Sequence, residues 1–308
     1  MAAKRQGRPL HGWLVIDKPP GLTSSNVVTR VIKFTGAAKA GHGGTLDPIA
    51  TGVLPLALGE ATKMVAYVLD GAKQYRFTVR WGEARTTDDR EGAVTATSPV
   101  RPTSEAIRAV LPAFTGVIDQ VPPTHSAVKV EGRRAYALAR ANEPVDLKPR
   151  RIRIDRFDLV AIPDADHAEF EVAAGKGAYM RSLARDIAHR LDTYGHVTAL
   201  RRLAVGPFNE SHAIPLDKLE SLGHSPALER TLLPVETVLA GIPALALTEA
   251  EARRLKRGQP VSLLAVASRT PLSGIDPESV VCAMAEGRMV ALARIKGGEI
   301  RPFRVLNL

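Results

Sequence analysis

This chain lacks the parts that would build a disulfide framework, a membrane span or a nucleotide cradle. Its 308 residues include one cysteine, Cys282. That excludes an intrachain disulfide and a thiolate zinc site. Cys282 lies in the apolar run Val280-Val281-Cys282-Ala283-Met284, which reads as a buried strand thiol suited to a reducing cytoplasm. No run approaches the ~20 apolar residues of a membrane span. Met1 to Pro9 is basic without an apolar core, so no secretory signal is expected. The eight histidines are scattered, with no pair at metal-ligand spacing. Neither a P-loop nor GxGxxG nor GxSxG occurs. The expectation is an enzyme or binding protein with no cofactor and no metal.

What is present is positive charge. Forty-two Lys and Arg stand against thirty-two Asp and Glu, a net +10 with a pI near 9.9. A basic chain of this length points to a polyanionic partner, most often nucleic acid, or to a solvated basic surface. From His125 to Arg156 there are nine Lys or Arg and four Asp or Glu, so half the net charge sits in 32 residues. Tyr136 lies at the centre of that segment, among Lys129, Arg133, Arg134 and Arg140. The pattern suits phosphate contact plus stacking, and equally a solvated helix and loop.

The periodicity is that of a globular α+β protein. Trp13 to Ile16 is a short buried strand. Val27, Val28, Val31 and Ile32 recur at helical spacing, with Thr23, Ser24 or Ser25 as cap and Gly36 as stop. Gln74 to Trp81 alternates as a strand, with Tyr75, Phe77, Val79 and Trp81 on one face. Arg85 to Gly92 reads as a hairpin or loop, and Ser104 to Phe114 as a helix. Arg151 to Leu159 and Glu169 to Ala173 are further strands. Met180, Leu183, Ala184, Ile187 and Leu191 form a helical stripe, which Gly195 is expected to stop. Arg181 then sits in a first helical turn, where a cation is mildly unfavourable unless a carboxylate reaches it from elsewhere. Composition shifts near 239–243, and a domain boundary is placed there. Beyond it come a helical turn (Thr248 to Lys256) and short strands at Val261 to Leu264, Val280 to Ala285, Met289 to Ile295 and Phe303 to Leu306. These suggest a small barrel. Ten basic against six acidic residues from Gly241 to Leu308 suit an RNA-binding accessory.

One stretch stands apart: Gly41-His42-Gly43-Gly44-Thr45-Leu46-Asp47-Pro48-Ile49-Ala50-Thr51-Gly52. Its glycines open backbone angles closed to other residues, and Pro48 biases Asp47 away from helix. Asp47 is thereby either the cap of an Asp-Pro turn or an acid held in one geometry.

Here the residues carry a resemblance. Gly12-Trp13-Leu14-Val15-Ile16-Asp17-Lys18-Pro19 and the stretch from Ala40 to Pro55 resemble the family of bacterial type B tRNA pseudouridine-55 synthases. The likeness continues through Gly59-Glu60-Ala61-Thr62-Lys63, Lys73-Gln74-Tyr75, Pro122-Pro123 with Ser126 to Lys129, Lys176 to Arg181, and His196 to Leu203. These motifs run in family order over about residues 12–219. The C-terminal piece is similar to the PUA domain attached to many such enzymes. Gly43 departs from the pattern, standing where the family's Gly-His-Thr-Gly has threonine.

The resemblance implies the pseudouridine-synthase fold: a mixed, largely antiparallel sheet with flanking helices. It implies a catalytic domain over 11–240 after a basic tail (1–10), with a thumb insertion at about 125–152, and a PUA-like RNA-binding domain over 241–308. The implied reaction breaks N1–C1′, turns the uracil and joins C5 to C1′, with no cofactor. Asp47 matches the catalytic aspartate, Arg181 its partner, and Tyr75 the tyrosine that stacks on the base. Leu200 matches an apolar pocket wall, Lys18 a structural support, and His42 the residue that enters the T loop where the uridine has left. Tyr179 belongs with the substrate-binding set. Lys129, Arg133, Arg134, Arg140, Arg201 and Arg202 are candidates for the RNA backbone. The implied partner is the tRNA T stem-loop, met by a cytoplasmic monomer. A non-catalytic RNA-binding or tRNA-folding protein on the same scaffold is the rival reading.

Overall fold

Where the sequence alternates or repeats at helical spacing, the chain folds accordingly. The computed structural model describes residues 7–130, 132–141, 143, 145–222, 225–270, 275–276 and 278–308, without the side chains of Arg134, Ala137 and Arg140. Strand β1 (Gly12–Lys18) is followed by helix α1 (Ser24–Thr35). The Thr23 hydroxyl accepts from Asn26 N at 3.1 Å, and Gly36 ends the helix in the left-handed conformation at φ 68°. Strand β2 (Ala40–His42) leads into the Asp47 loop, and β3 (Thr51–Leu58) leaves it. Helix α2 (Val65–Asp70) precedes β4 (Lys73–Trp81), whose Phe77, Val79 and Trp81 are buried while Gln74 and Arg76 face solvent.

Ten strands form the main sheet. Across it run 214–215, β1, β3, 195–205, β4, 167–174, 150–164 and 116–120; 208–209 pairs with 195–205, and β2 with β3. Two pairings are parallel, β1 with 214–215 and β3 with 195–205, and the rest are antiparallel. The parallel join matters because it sets Arg201 and Arg202 against Thr51 and Gly52, at the exit of the Asp47 loop.

One core lies between this sheet and α1, Ser104–Val110, Met180–Arg190 and Leu216–Leu222. A second lies on the sheet's other face. There Trp13, Val53, Met64, Val68 and Phe208 pack with Cys282, Met289, Leu292 and Leu306 of the C-terminal part. The Trp13 indole donates to Val235 O at 3.1 Å in this core. The C-terminal part is therefore docked through shared apolar surface. Its sheet has five strands, in the order 244–246, 280–285, 288–296, 299–305, 261–262, and curls into a half barrel.

Two expectations change. The Met180–Arg190 helix ends well before Gly195, which instead opens the strand Gly195–Val205. A Cβ there would lie 2.9 Å from Ala188 Cβ and 3.0 Å from Val79 Cγ1, so that glycine serves close packing and not helix termination. The expected strand Val261 to Leu264 is only Val261–Ser262, and Leu263–Ala267 is helical. Half-buried Leu263 and buried Val266, three apart, share one helical face, leaving Leu264 84% exposed.

Candidate active site

Asp47 lies where the β2–β3 connection passes the start of α1. The loop is pinned on both sides. Leu46 N donates to the buried Ser24 hydroxyl at 2.8 Å, and Gly21 N donates to Pro48 O at 2.8 Å. Ala50 N closes the turn on Asp47 O at 3.0 Å. The side chain of Asp47 is one-third exposed and opens into a cleft of about 320 Å³. Tyr75, Tyr179, Met180, Leu200 and Leu69 also line it, with Ser126 and Ala127 at the root of the basic segment.

Behind the carboxylate stands Arg181, buried in the first turn of its helix. Its Nε donates to Asp47 Oδ2 at 2.9 Å, and its two terminal nitrogens donate to Thr87 O and His125 O, both at 2.9 Å. The carboxylate that the first-turn cation called for is Asp47, 134 residues away in the chain. The grip is one-pronged. The other two prongs fix the guanidinium to backbone, which aims the carboxylate without closing it in a two-pronged pair.

Three more buried cations lie close to the cleft, and the protein holds each of them. Lys18 is fully buried and donates to Pro19 O and Pro48 O at 2.9 and 3.2 Å, so it braces the Asp47 loop from beneath. Burial, partly offset by Asp47, brings its ammonium down to about 8. Lys73, also buried, caps α2 through Leu69 O and Gly71 O, and burial brings it down to about 8 as well. Arg202 donates from Nε to Val53 O at 2.8 Å and from a terminal nitrogen to Gly44 O at 3.2 Å. Burial lowers the Arg202 guanidinium from its ordinary value, and the nearby Tyr75 hydroxyl opposes that. Burial, and then Asp47, raise the Tyr179 phenol.

The structure brings Asp47, Tyr75, Tyr179 and Leu200 to one cleft, with Arg181 and Lys18 behind them. His42 is placed differently. It ends β2, half-buried and off the cleft lining, with Nδ1 buried and unpartnered among the described residues. Burial and then Arg202 lower its imidazole from the ordinary value.

The candidates for the RNA backbone divide. Arg202 does not fit: it is 1% exposed and its guanidinium is turned inward on two carbonyls. Neighbouring residues of a strand face opposite ways, so Arg201 alone points outward. There it is held by Asp17, at 3.0 Å through both terminal nitrogens, and by Glu210 at 2.6 Å. Lys129 and Arg133 are exposed, with Arg133 held two-pronged by Glu143 at 2.7 and 2.8 Å. The side chains of Arg134 and Arg140 lie outside the described part. The basic segment is not polar throughout, since Val128, Ala135 and Leu138 are buried beneath it.

Sequence reasoning missed Asp89. It is buried in the loop after Glu83–Arg85, with Oδ2 3.7 Å from an Arg181 nitrogen. Its Oδ1 accepts from the Thr87 hydroxyl and from Glu91 N, shaping the turn whose Thr87 carbonyl receives Arg181. Beside it Asp88 takes a positive φ of 58° and pairs with Arg185 at 3.0 Å. Gln120 was missed too: it exchanges hydrogen bonds with the backbone of Tyr179 at 2.8 and 3.1 Å, fixing the residue before the Arg181 helix. The Thr-Thr-Asp-Asp run was the available signal for a tight, hydroxyl-capped turn.

Among the described residues, no group of His, Cys, Asp and Glu could hold a metal ion, and no helix is long and apolar enough to cross a membrane.

The site presents one aimed carboxylate at the base of an aromatic-walled cleft, on a basic protein, an arrangement that suits an enzyme. Comparison with known proteins makes the class particular. The family model for the TruB family pseudouridylate synthase N-terminal domain matches residues 32–180, and that for the tRNA pseudouridylate synthase B C-terminal domain matches 181–240. The chain is 59% identical to tRNA pseudouridine synthase B of Rhodospirillum rubrum, covering 100% of both chains. It is 48% identical to the protein of that name from Caulobacter sp. strain K31, again covering 100% of both. A crystal structure of a Cbf5-Nop10-Gar1 complex contains a chain of similar fold, with a TM-score of 0.71 at 26% identity, over 97% of this chain and 84% of that one. The chain belongs to the TruB family of pseudouridylate synthases, which are isomerases.

Proposed function

We propose that this protein isomerises uridine-55 in the T loop of tRNA to pseudouridine. The Arg181–Asp47 contact carries the reading, because it aims a lone carboxylate into a cleft walled by Tyr75, Tyr179 and Leu200. Its full-length relatives bear the name tRNA pseudouridine synthase B.

The target uridine leaves the loop and enters the cleft, at a cost of a few kcal/mol that new contacts offset. Tyr75 stacks on the base and Leu200 closes the far wall. Asp47 works at the sugar by one of two routes. It attacks C1′ and displaces the uracil at N1, or it takes the C2′ proton to give a glycal-like intermediate. The uracil turns and C5 bonds to C1′, which expels the Asp47 carboxylate in the first route and takes the proton back at C2′ in the second. The C5 proton is then lost to solvent through a base, and N1 gains a proton. Atoms and redox state balance without a cofactor. His42 fills the place in the T loop that the uridine vacates.

In this reading 11–240 is the catalytic unit, 125–152 a thumb on the RNA, and 241–308 a PUA-like RNA-binding unit. The enzyme works as a cytoplasmic monomer. The test is an unmodified tRNA transcript labelled with tritium at C5 of uridine, incubated with protein and neither cofactor nor metal. Tritium release mapped to position 55, with RNA mass unchanged after exchange, is the expected result. Release elsewhere would refute the site. No release, with RNA still remodelled, would leave the RNA-folding role alone. A C2′-deuterium isotope effect separates the two chemical routes.

A further inference from the structure

Gly43 is the one departure in the loop that carries both His42 and Asp47, and the structure supplies a reason for it. Gly44 has a φ of +126°, a region that favours glycine, whereas Gly43 has no such angle. The constraint at 43 is space. A Cβ there would lie 2.9 Å from Val68 Cγ1, 3.3 Å from Val68 Cβ and 3.4 Å from Pro55 O. The backbone cannot lift away, because Gly43 N donates to Pro55 O at 2.7 Å and Gly44 O receives Arg202.

Val68 cannot retreat either. It is fully buried in α2, in the core shared with the C-terminal sheet. The end of α2 is tied by Lys73 Nζ to Leu69 O and Gly71 O. Gly71 in turn lies against Gly206, where an added Cβ would come within 3.0 Å of Cα.

We propose that Val68 is a positioning residue for this reaction: its isopropyl group takes the space of a residue-43 side chain and sets the path of the His42–Asp47 loop. The position is reciprocal, so a side chain at 43 requires a smaller residue at 68. The inference rests on the pseudouridylation reading, since the loop's path matters through His42 in the RNA and Asp47 at the sugar.

The test is a two-residue cycle: Gly43→Thr, Val68→Ala and both together, each checked by circular dichroism. Single-turnover tritium release and RNA affinity are measured on a tRNA transcript. Gly43→Thr should slow turnover by roughly tenfold to a hundredfold, the scale of an ångström's misplacement. RNA affinity should stay within about threefold, because phosphate contacts carry most of the affinity of a nucleic-acid-binding protein. In the Val68→Ala background the same change at 43 should cost less than about threefold, since the space has been opened. If Gly43→Thr does not fold alone, the milder pair Gly43→Ala and Gly43→Ala/Val68→Ala decides. A folded Gly43 variant with wild-type turnover overturns the proposal. So does a folded double variant that recovers nothing. Loss of affinity in parallel with rate would show a merely structural defect and overturn it as well. Wild-type protein inactive on the transcript would instead refute the pseudouridylation reading, a separate outcome.

Discussion

Two populations of cations share this molecule. Arg181, Arg202, Lys18 and Lys73 crowd the Asp47 cleft and are all buried, with their N–H groups on backbone carbonyls or on Asp47 itself. Across residues 125–156, every described Lys and Arg side chain is exposed. The first group fixes geometry from behind; the second faces solvent. Net charge adds the two together and hides the distinction. Burial separates them, because a buried cation left without acceptors is costly and these four have acceptors.

Removing the group that the buried set aims should give the largest effect. Asp47→Asn keeps the shape of the side chain and should lower tritium release by roughly 10³-fold or more. Filter binding should show tRNA affinity nearly unchanged. Turnover near wild type would break the whole comparison, since the buried cations would then be aiming nothing. Arg181→Lys comes next. An ammonium cannot serve Asp47, Thr87 O and His125 O in one plane, so a loss of about 10²-fold in single-turnover rate is expected. Activity within about threefold of wild type would show that charge alone suffices at that position.

How much of this was legible depends on the range of the signal. The α1 cap, the β4 alternation and the Arg181 stripe are local patterns, and all three became elements. The carboxylate required by a first-turn arginine was legible as a need, though its identity came only from the family resemblance. Arg201 and Arg202 looked like a basic pair. Period-2 reading of 195–205 puts them on opposite faces, but the sequence carries no clear strand signal there. Asp89 was illegible for a different reason. Its partner Arg181 lies 92 residues on, and nothing in the Thr86–Gly92 loop itself indicates an approach to that helix. Leu264 shows the limit of short apolar runs, where strand and helix read alike until a partner strand is placed.

Arg202 sharpens the comparison through stability. Arg202→Ala strands Val53 O and Gly44 O and leaves a void, so chemical denaturation should show a loss of about 2–4 kcal/mol. The salt dependence of RNA binding should not change. Unchanged stability with a flatter salt slope would put Arg202 back on the RNA.

Lys18 and Lys73 supply a pH signature of the buried set. Both native ammonium groups are brought down from 10.5 to about 8. Between those values the unfolded chain binds protons that the native lysines have released. Each lysine therefore contributes a rise in stability as pH goes from about 8 to 10.5, and its penalty is fully present below 8. Denaturant midpoints across that window should climb less steeply in Lys73→Met than in wild type. Equal slopes would mean that the native ammonium keeps its ordinary affinity for protons. His42 gives the same sign at acid pH, since its imidazole is lowered too. Its share of stability is lost as pH falls below 6.5.

The exposed set should give the smallest effects, graded by prior pairing. Lys129 and Arg133 face solvent on the same short hairpin, which pairs Lys129–Val130 with Arg133–Arg134. Arg133 already holds Glu143 through two hydrogen bonds. A phosphate reaching Arg133 must displace that carboxylate, which offsets part of the gain. Lys129→Ala should therefore flatten log affinity against log salt by about 0.7 on single-stranded RNA, or about 0.9 on a duplex, if it meets one phosphate. Arg133→Ala should flatten it less. Glu143→Gln should tighten binding by removing both the competitor and a negative charge facing the RNA. None of these changes should alter the single-turnover rate at saturating RNA, because the groups lie outside the cleft. A rate change at saturation would tie the hairpin to the aiming apparatus, most directly through His125 O on Arg181. Three unchanged salt slopes would leave the hairpin's charges solvated and move the RNA path to another face.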